Sequence, residues 1–91
     1  MNKMELVDKI SRITGDTKTD TSKMLDAFVE VVSDSLKNGD DIRIVGFGTF
    51  STRKRKGTIG RNPRTGASIE IKEKRLPVFR SGKGLKDMVA L

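Results

Sequence analysis

Between Arg53 and Lys74 only Ile59, Ala67, Ile69 and Ile71 are apolar, too few to dock the segment on a core. The stretch "GTIGRNPRTGASIEI" (57–71) within it has the glycines and proline of a reversal. Residues 68–72 alternate Ile69 and Ile71 against Ser68, Glu70 and Lys72, as a returning strand does. The segment therefore reads as a two-stranded ribbon projecting from the rest of the chain. At ~3.3 Å per residue, each leg of about ten residues reaches ~33 Å. An isolated hairpin is marginal in water, so the ribbon is expected to be mobile until something binds it.

The ribbon is also where cations collect. Residues 53–56 read "RKRK", and Arg61 and Arg64 flank the reversal, with Gly60 and Gly66 permitting the turn and Asn62-Pro63 at its apex. Strand alternation sends Arg53 and Arg55 to one face and Lys54 and Lys56 to the other. The arginine face is the better one for phosphate, because guanidinium forks onto phosphate oxygens while Lys acts as a hydrated point charge. Solvated charges that merely block edge pairing are the plainer alternative. For Pro63, too, two readings stand: stiffening of the turn, or an exposed apolar ring able to enter between base pairs.

The remaining sequence supplies a body. Asn2 caps a first helix with Glu5 three positions on, Leu6, Val7, Ile10 and Ile13 recur on one face, and Gly15 stops it. Thr17 and Asp20 repeat the cap ahead of a long helix ending at Asn38-Gly39. Its stripe runs through Met24, Leu25, Phe28, Val29, Val31, Val32 and Leu36 and is wider than one short helix covers. Either the sheet of the same chain or a second copy must cover it. From Asp41, "DIRIVGFGTFSTRKRK" predicts two short strands joined by a bend. Ser81 is expected to cap a short final helix carrying Leu85, Met88 and Val89. The order is ααβββα, an α+β chain read as a single domain over 1–91, with a helical part over 1–40, a sheet part over 41–91 and an arm at about 53–74.

Ninety-one residues bury only a modest core, so help from a partner subunit is plausible. The 19 Lys and Arg against 12 Asp and Glu give a net charge of +7. Residues 1–40 hold 6 basic and 8 acidic groups, a net of −2, and residues 41–91 hold 13 and 4, a net of +9. This asymmetry marks a cationic surface for nucleic acid or an anionic membrane. Nucleic acid is favoured because the charge lies on β-type sequence rather than on an amphipathic basic helix. Neither Cys nor His is present, which removes disulfides, thiolate metal sites and the commonest general base. With no carboxylates paired in a basic pocket either, catalysis is not expected, and no catalytic residue, metal ligand or cofactor is assigned. No apolar run approaches the ~20 residues of a membrane span, so a soluble, cytoplasmic protein without membrane contact is expected.

"GFGTF" at 46–50, "GRNPRTG" at 60–66 and "FRSGKGLK" at 79–86, in this order after two capped helices, resemble the bacterial histone-like HU family and its relative, integration host factor. The length and the opening "MNKMELV" are closer to HU. The resemblance implies an intertwined homodimer whose helices form the body, with a three-stranded antiparallel sheet and two β-arms that embrace duplex DNA. Both families are minor-groove architectural proteins, and such proteins insert apolar wedges between base steps. Carried over by position, Pro63 is the wedge, with Arg61, Asn62 and Arg64 beside it and Arg53 and Arg55 on the inner arm surface. Lys74 and Arg75 stand at the base of the return leg. Lys3, Arg80, Lys83 and Lys86 meet phosphates at the body, helped by the start of the final helix. The chain departs from the family pattern in carrying Lys54 where acids are frequent and Lys72 where proline is common. Charge has thus moved toward the arm's base.

The function so implied is DNA compaction and bending with little sequence preference, favouring bent, nicked or gapped duplex. A sequence-selective role of the integration host factor type is the alternative. RNA or single strands form another partner class, and aromatic platforms are one way to bind them. Phe28, Phe47, Phe50 and Phe79, however, lie in the most apolar stretches and read better as core.

Overall fold

Asn2 accepts a hydrogen bond from the Glu5 amide at 2.9 Å, and helix α1 (Lys3–Thr14) starts there as expected. Gly15 ends it in the left-handed region at φ 79°, donating its amide to the Ser11 carbonyl. Thr17 Oγ1 accepts from the Asp20 amide at 3.1 Å and opens helix α2 (Lys18–Lys37). These features belong to a computed structural model that describes residues 1–90, apart from the side chains of Thr58 and Ile71.

The backbone divides into two compact units, Met1–Ser35 and Leu36–Leu91. In the first, Val7, Ser11 and Thr21 are buried. The two hydroxyls are satisfied within their own helices: Ser11 donates to the Asp8 carbonyl and Thr21 to the Thr17 carbonyl. Small polar residues can thus sit inside without an unpaired group. Ion pairs tie the helices at the surface, from Lys3 to Asp26 at 2.6 Å and from Lys18 to Asp8 at 3.2 Å. Exposed pairs of this kind contribute at most ~1 kcal/mol each.

In the second unit, strands β1 (Ile42–Ile44), β2 (Gly48–Arg55) and β5 (Lys74–Ser81) form an antiparallel sheet in the order β1-β2-β5. Strands β3 (Thr58–Arg61) and β4 (Ser68–Ile71) form a separate two-stranded sheet, and helix α3 (Lys83–Val89) follows. The sequence led us to expect three strands. Five arise because each leg of the ribbon breaks, at Lys56-Gly57 on the way out and at Lys72-Glu73 on the way back. The register does not slip across the break. Arg55 faces Lys74 on one side of it and Thr58 faces Ile71 on the other, so a continuous ladder would pair Lys56 with Glu73 and Gly57 with Lys72. A glycine and a run of charged side chains without apolar cross-strand partners hold the ladder weakly there.

Two local expectations are corrected. Ser81 is the last residue of β5, and Gly82, which has no side chain to accept a capping bond, is the N-cap of α3, its amide donating to the Phe47 carbonyl at 2.8 Å. Gly60 does not turn the chain. It lies in β3 opposite Ile69, and Gly66, at φ 68°, is the tip residue that needs glycine. One face of the sheet carries the aromatic residues, and on it Ile42, Phe50 and Phe79 share a row. The Phe79 ring lies 4.9 Å from Phe50 and 5.2 Å from Phe47, tilted 45° to each. The rings pack on one another, but Phe47 and Phe79 are left exposed in the single chain rather than buried as core.

Candidate nucleic-acid interface

Residues paired across an antiparallel ladder project from the same face. Arg53 pairs with Leu76, Arg55 with Lys74, and Thr49 with both Arg43 and Arg80. Arg43, Arg80, Arg53, Arg55 and Lys74 therefore share the face opposite the phenylalanines. That face of β1, β2 and β5 carries no acid. Lys54 and Arg75 pair with each other on the phenylalanine side, where Lys54 lies 3.8 Å from Glu73. Within β2 and β5 the asymmetry inferred from alternation is present in charge as well as in side-chain type, since Glu73 stands by Lys54 and no acid shares the face of Arg53 and Arg55; beyond the break, Glu70 pairs with Ile59.

Arg75 was grouped with Lys74 in the sequence, but the ladder puts the two on opposite faces. Its Nη2 donates to the Lys37 carbonyl at 2.7 Å, at the end of α2. Lys3 lies in the helical unit, paired with Asp26. Lys83 opens α3 and Lys86 lies in its last turn, both exposed. With only seven residues, α3 offers at most a weak terminal dipole, so side-chain charge is what it contributes.

At the tip, Asn62 organises the reversal. Its amide donates to the Ala67 carbonyl at 2.8 Å and its carbonyl accepts from the Gly66 amide at 2.8 Å. Its Oδ1 accepts from the Arg64 amide at 2.9 Å, an Asx turn, and Thr65 Oγ1 accepts from the Ala67 amide at 3.2 Å. The side-chain oxygen of Asn62 is thus committed to the turn, and its NH2 remains as the donor it presents. Pro63 and Arg64 are exposed at the turn, and Arg61 ends β3 opposite Ser68. The ring of Pro63 stands between two arginines on a turn held by four hydrogen bonds.

A family model described as bacterial DNA-binding protein matches residues 1–90. The chain belongs to the HU family of bacterial DNA-binding proteins. It is 49% identical over 89 residues to DNA-binding protein HRL18 of Rhizobium leguminosarum, covering 98% of each chain. Against HU-beta of Serratia marcescens the identity is 48%, covering 98% of this chain and 99% of the relative. Among solved structures, Anabaena HU in a cocrystal with DNA superposes with a TM-score of 0.89 at 40% identity, covering 99% of this chain and 98% of that one. A V42I mutant of HU from Thermotoga maritima gives a TM-score of 0.73 at 34% identity, with 98% and 99% covered. The HU family is architectural rather than enzymatic. Among the described residues, no helix is long and apolar enough to cross a membrane.

Within this HU-family frame, Arg43 is a basic residue outside the quoted motifs that the ladder places on the arginine face. Its signal was the alternation in "IRI" at 42–44, which sets a lone cation between two half-buried isoleucines and so commits it to the opposite face. The "GFG" and "SGKG" motifs, in turn, are largely about backbone contact. A Cβ on Gly48 would meet the Arg80 carbonyl oxygen at 2.5 Å and a Phe79 ring carbon at 2.5 Å, and one on Gly82 would lie 3.3 Å from the Phe47 carbonyl.

Proposed function

We propose that the chain works as a homodimer that clasps duplex DNA with two β-arms, with little sequence preference, and bends it by inserting Pro63 at a base step. In the bacterial nucleoid this compacts and stabilises DNA. The observation that carries the reading is the acid-free face shared by Arg43, Arg53, Arg55, Lys74 and Arg80. A row of cations with no carboxylate of its own suits the phosphate backbone, whose neutralisation releases counterions and drives binding without reading sequence. Arg61, Pro63 and Arg64 at the tip suit the minor groove, where arginine meets enhanced negative potential and an apolar ring can unstack a step.

Dimerisation is supported by how little the chain buries. Val7, 7% exposed, is the sole buried hydrophobic residue among those described, whereas Phe28, Val29, Val31, Phe47 and Phe79 remain between 41% and 59% exposed. A second copy covering these side chains supplies the missing core, and with it a second arm.

The test is a mobility-shift series with intact, nicked and gapped duplexes at several salt concentrations, joined to energy-transfer measurement of bend angle. Affinity should fall steeply with salt, differ little among random duplexes, and favour nicked or gapped DNA over single strands or RNA. Substituting Pro63→Ala should reduce the bend more than the affinity. A preference for one site that persists at high salt would instead support an integration-host-factor-like role, and unchanged bend angles would remove the wedge.

A further inference from the structure

We infer that Asn38 is a site of spontaneous covalent modification, converting through a cyclic imide to aspartate and isoaspartate, and that the guanidinium of Arg75 promotes the conversion. The chain holds three amide side chains, Asn2, Asn38 and Asn62, and no Gln. Two of them are protected. Asn2 Oδ1 is engaged by the Glu5 amide, and the next residue, Lys3, is already helical. Asn62 precedes Pro63, whose nitrogen carries no proton to lose and cannot attack. Asn38 differs on both counts. It is exposed in the turn beyond α2, and its side chain makes no hydrogen bond among the described residues. Its successor is Gly39, which places no Cβ in the path of attack.

The conversion needs no reagent but water. The Gly39 nitrogen gives up its proton and bonds to Asn38 Cγ, the Cγ–NH2 bond breaks, and the amine leaves as ammonia with that proton. Water then opens the ring. Opening at Cγ leaves aspartate, and opening at the former backbone carbonyl leaves isoaspartate, with the chain rerouted through the side chain. Attack builds negative charge on the Gly39 nitrogen and the Asn38 side-chain oxygen. The negative end of α2 opposes that charge, as do Asp40 and Asp41, while Lys37 and Arg75 favour it. Arg75 is the cation bonded to the turn. Its Nη2 donates to the Lys37 carbonyl at 2.7 Å, and its Nη1 lies 3.7 Å from the place a Cβ of Gly39 would take. The guanidinium thus meets the residues on both sides of Asn38, and a fixed cation there stabilises the developing anion. The restraint on the nucleophile is slight: the Gly39 amide donates to the Leu36 carbonyl at 3.1 Å, near the long end for such a bond. Each conversion puts a carboxylate where a neutral amide stood, beside the arginine at the base of the arm, and lowers the net charge of +7 by one.

The test is to age the purified full chain at neutral and mildly alkaline pH. Ion-exchange chromatography follows the lost positive charge, peptide mass mapping locates it, and an isoaspartyl methyltransferase assay detects the rerouted product. The wild type should convert at Asn38 and not at Asn2 or Asn62, faster at the higher pH, and Asn38→Ala should give no charge shift. Arg75→Ala should slow the conversion about fivefold, the effect of one unit charge at ~4 Å in an exposed setting. Arg75→Lys should keep most of the rate, because it keeps the charge. Loosening of the fold in the alanine variant would free the turn and speed the conversion, so slowing cannot come from unfolded protein. A wild type whose Asn38 stays intact while the same chain unfolded in guanidinium converts would overturn the site. An Arg75→Ala rate equal to or above that of the wild type would overturn the role of Arg75.

Discussion

Arg75 donates a hydrogen bond from Nη2 to the carbonyl of Lys37 at 2.7 Å, so a residue at the base of the arm's return leg satisfies one of the open carbonyls at the end of α2. A cation there also meets the negative end of the helix dipole. Its neighbour Lys74 points to the other face, among the arginines. Adjacent basic residues in the chain thus stand in different surroundings.

This separation gives a paired expectation. Replacing Arg75 by Ala should cost about 1 kcal/mol of stability, the net value of an exposed hydrogen bond, and leave the salt dependence of DNA binding unchanged. Replacing Arg53 by Ala should do the reverse, lowering the salt slope by about 0.9 per contact while leaving the melting temperature within about a degree. Thermal denaturation and salt-series titrations on both variants check the assignment. A slope change in the Arg75 variant would return that residue to the DNA surface.

If the exposed apolar side chains are covered by a second copy, stability is tied to protein concentration. The melting temperature should rise measurably over a hundredfold increase in concentration, as mass action requires when only the folded state associates. Sedimentation equilibrium should give a mass near twice the 10.1 kDa of the chain. A concentration-independent melt at the mass of one chain would mean that the phenylalanines and valines are simply left in solvent.

Gly48 is the tightest backbone approach on the apolar side of the sheet, with both the Arg80 carbonyl and the Phe79 ring in the space a Cβ would take. The Gly48→Ala variant must push the strand or the ring aside, and should lose about 1–3 kcal/mol, the usual range for overpacking. Urea denaturation should show a lower midpoint with an unchanged slope, the mark of a stability change without a change in the unfolded state.

The sequence revealed the elements whose causes are local. Asn2, Thr17 and Gly15 act through their own few neighbours, and the ribbon was legible because Arg53 through Lys74 has too little apolar surface to be anything else. The misreadings share a different origin. Ser81 loses the cap position because the Gly82 amide bonds to Phe47, far away in sequence, and Gly60 is held extended by its partner Ile69. For Arg75 and Arg43 the sequence left open the face from which each side chain departs, because strand register sets it. Family motifs carry Arg80, Lys83 and the tip, but Arg43 lies ahead of all three motifs, in a strand whose apolar residues draw attention first.

The tip offers a way to separate rigidity from the wedge itself. Asn62 holds the turn through its Oδ1 bond to the Arg64 amide, and Gly66 holds it by adopting φ 68°. Substituting Asn62→Ala removes an exposed bond worth about 1 kcal/mol; Gly66→Ala forces an L side chain into the left-handed region at a cost of ~1–2 kcal/mol. Both costs fall on a hairpin end with little packing to transmit them, so neither variant should shift the global melt by more than a degree or two. Both should instead speed hydrogen exchange at the tip amides of Arg64 and Gly66. With Pro63 still present but less firmly presented, each should bend DNA less than the wild type and more than Pro63→Ala. Energy-transfer bend angles falling in that order would show that the ring works because the turn holds it still. Bend angles equal to wild type, despite faster exchange, would mean that DNA itself orders the tip on binding.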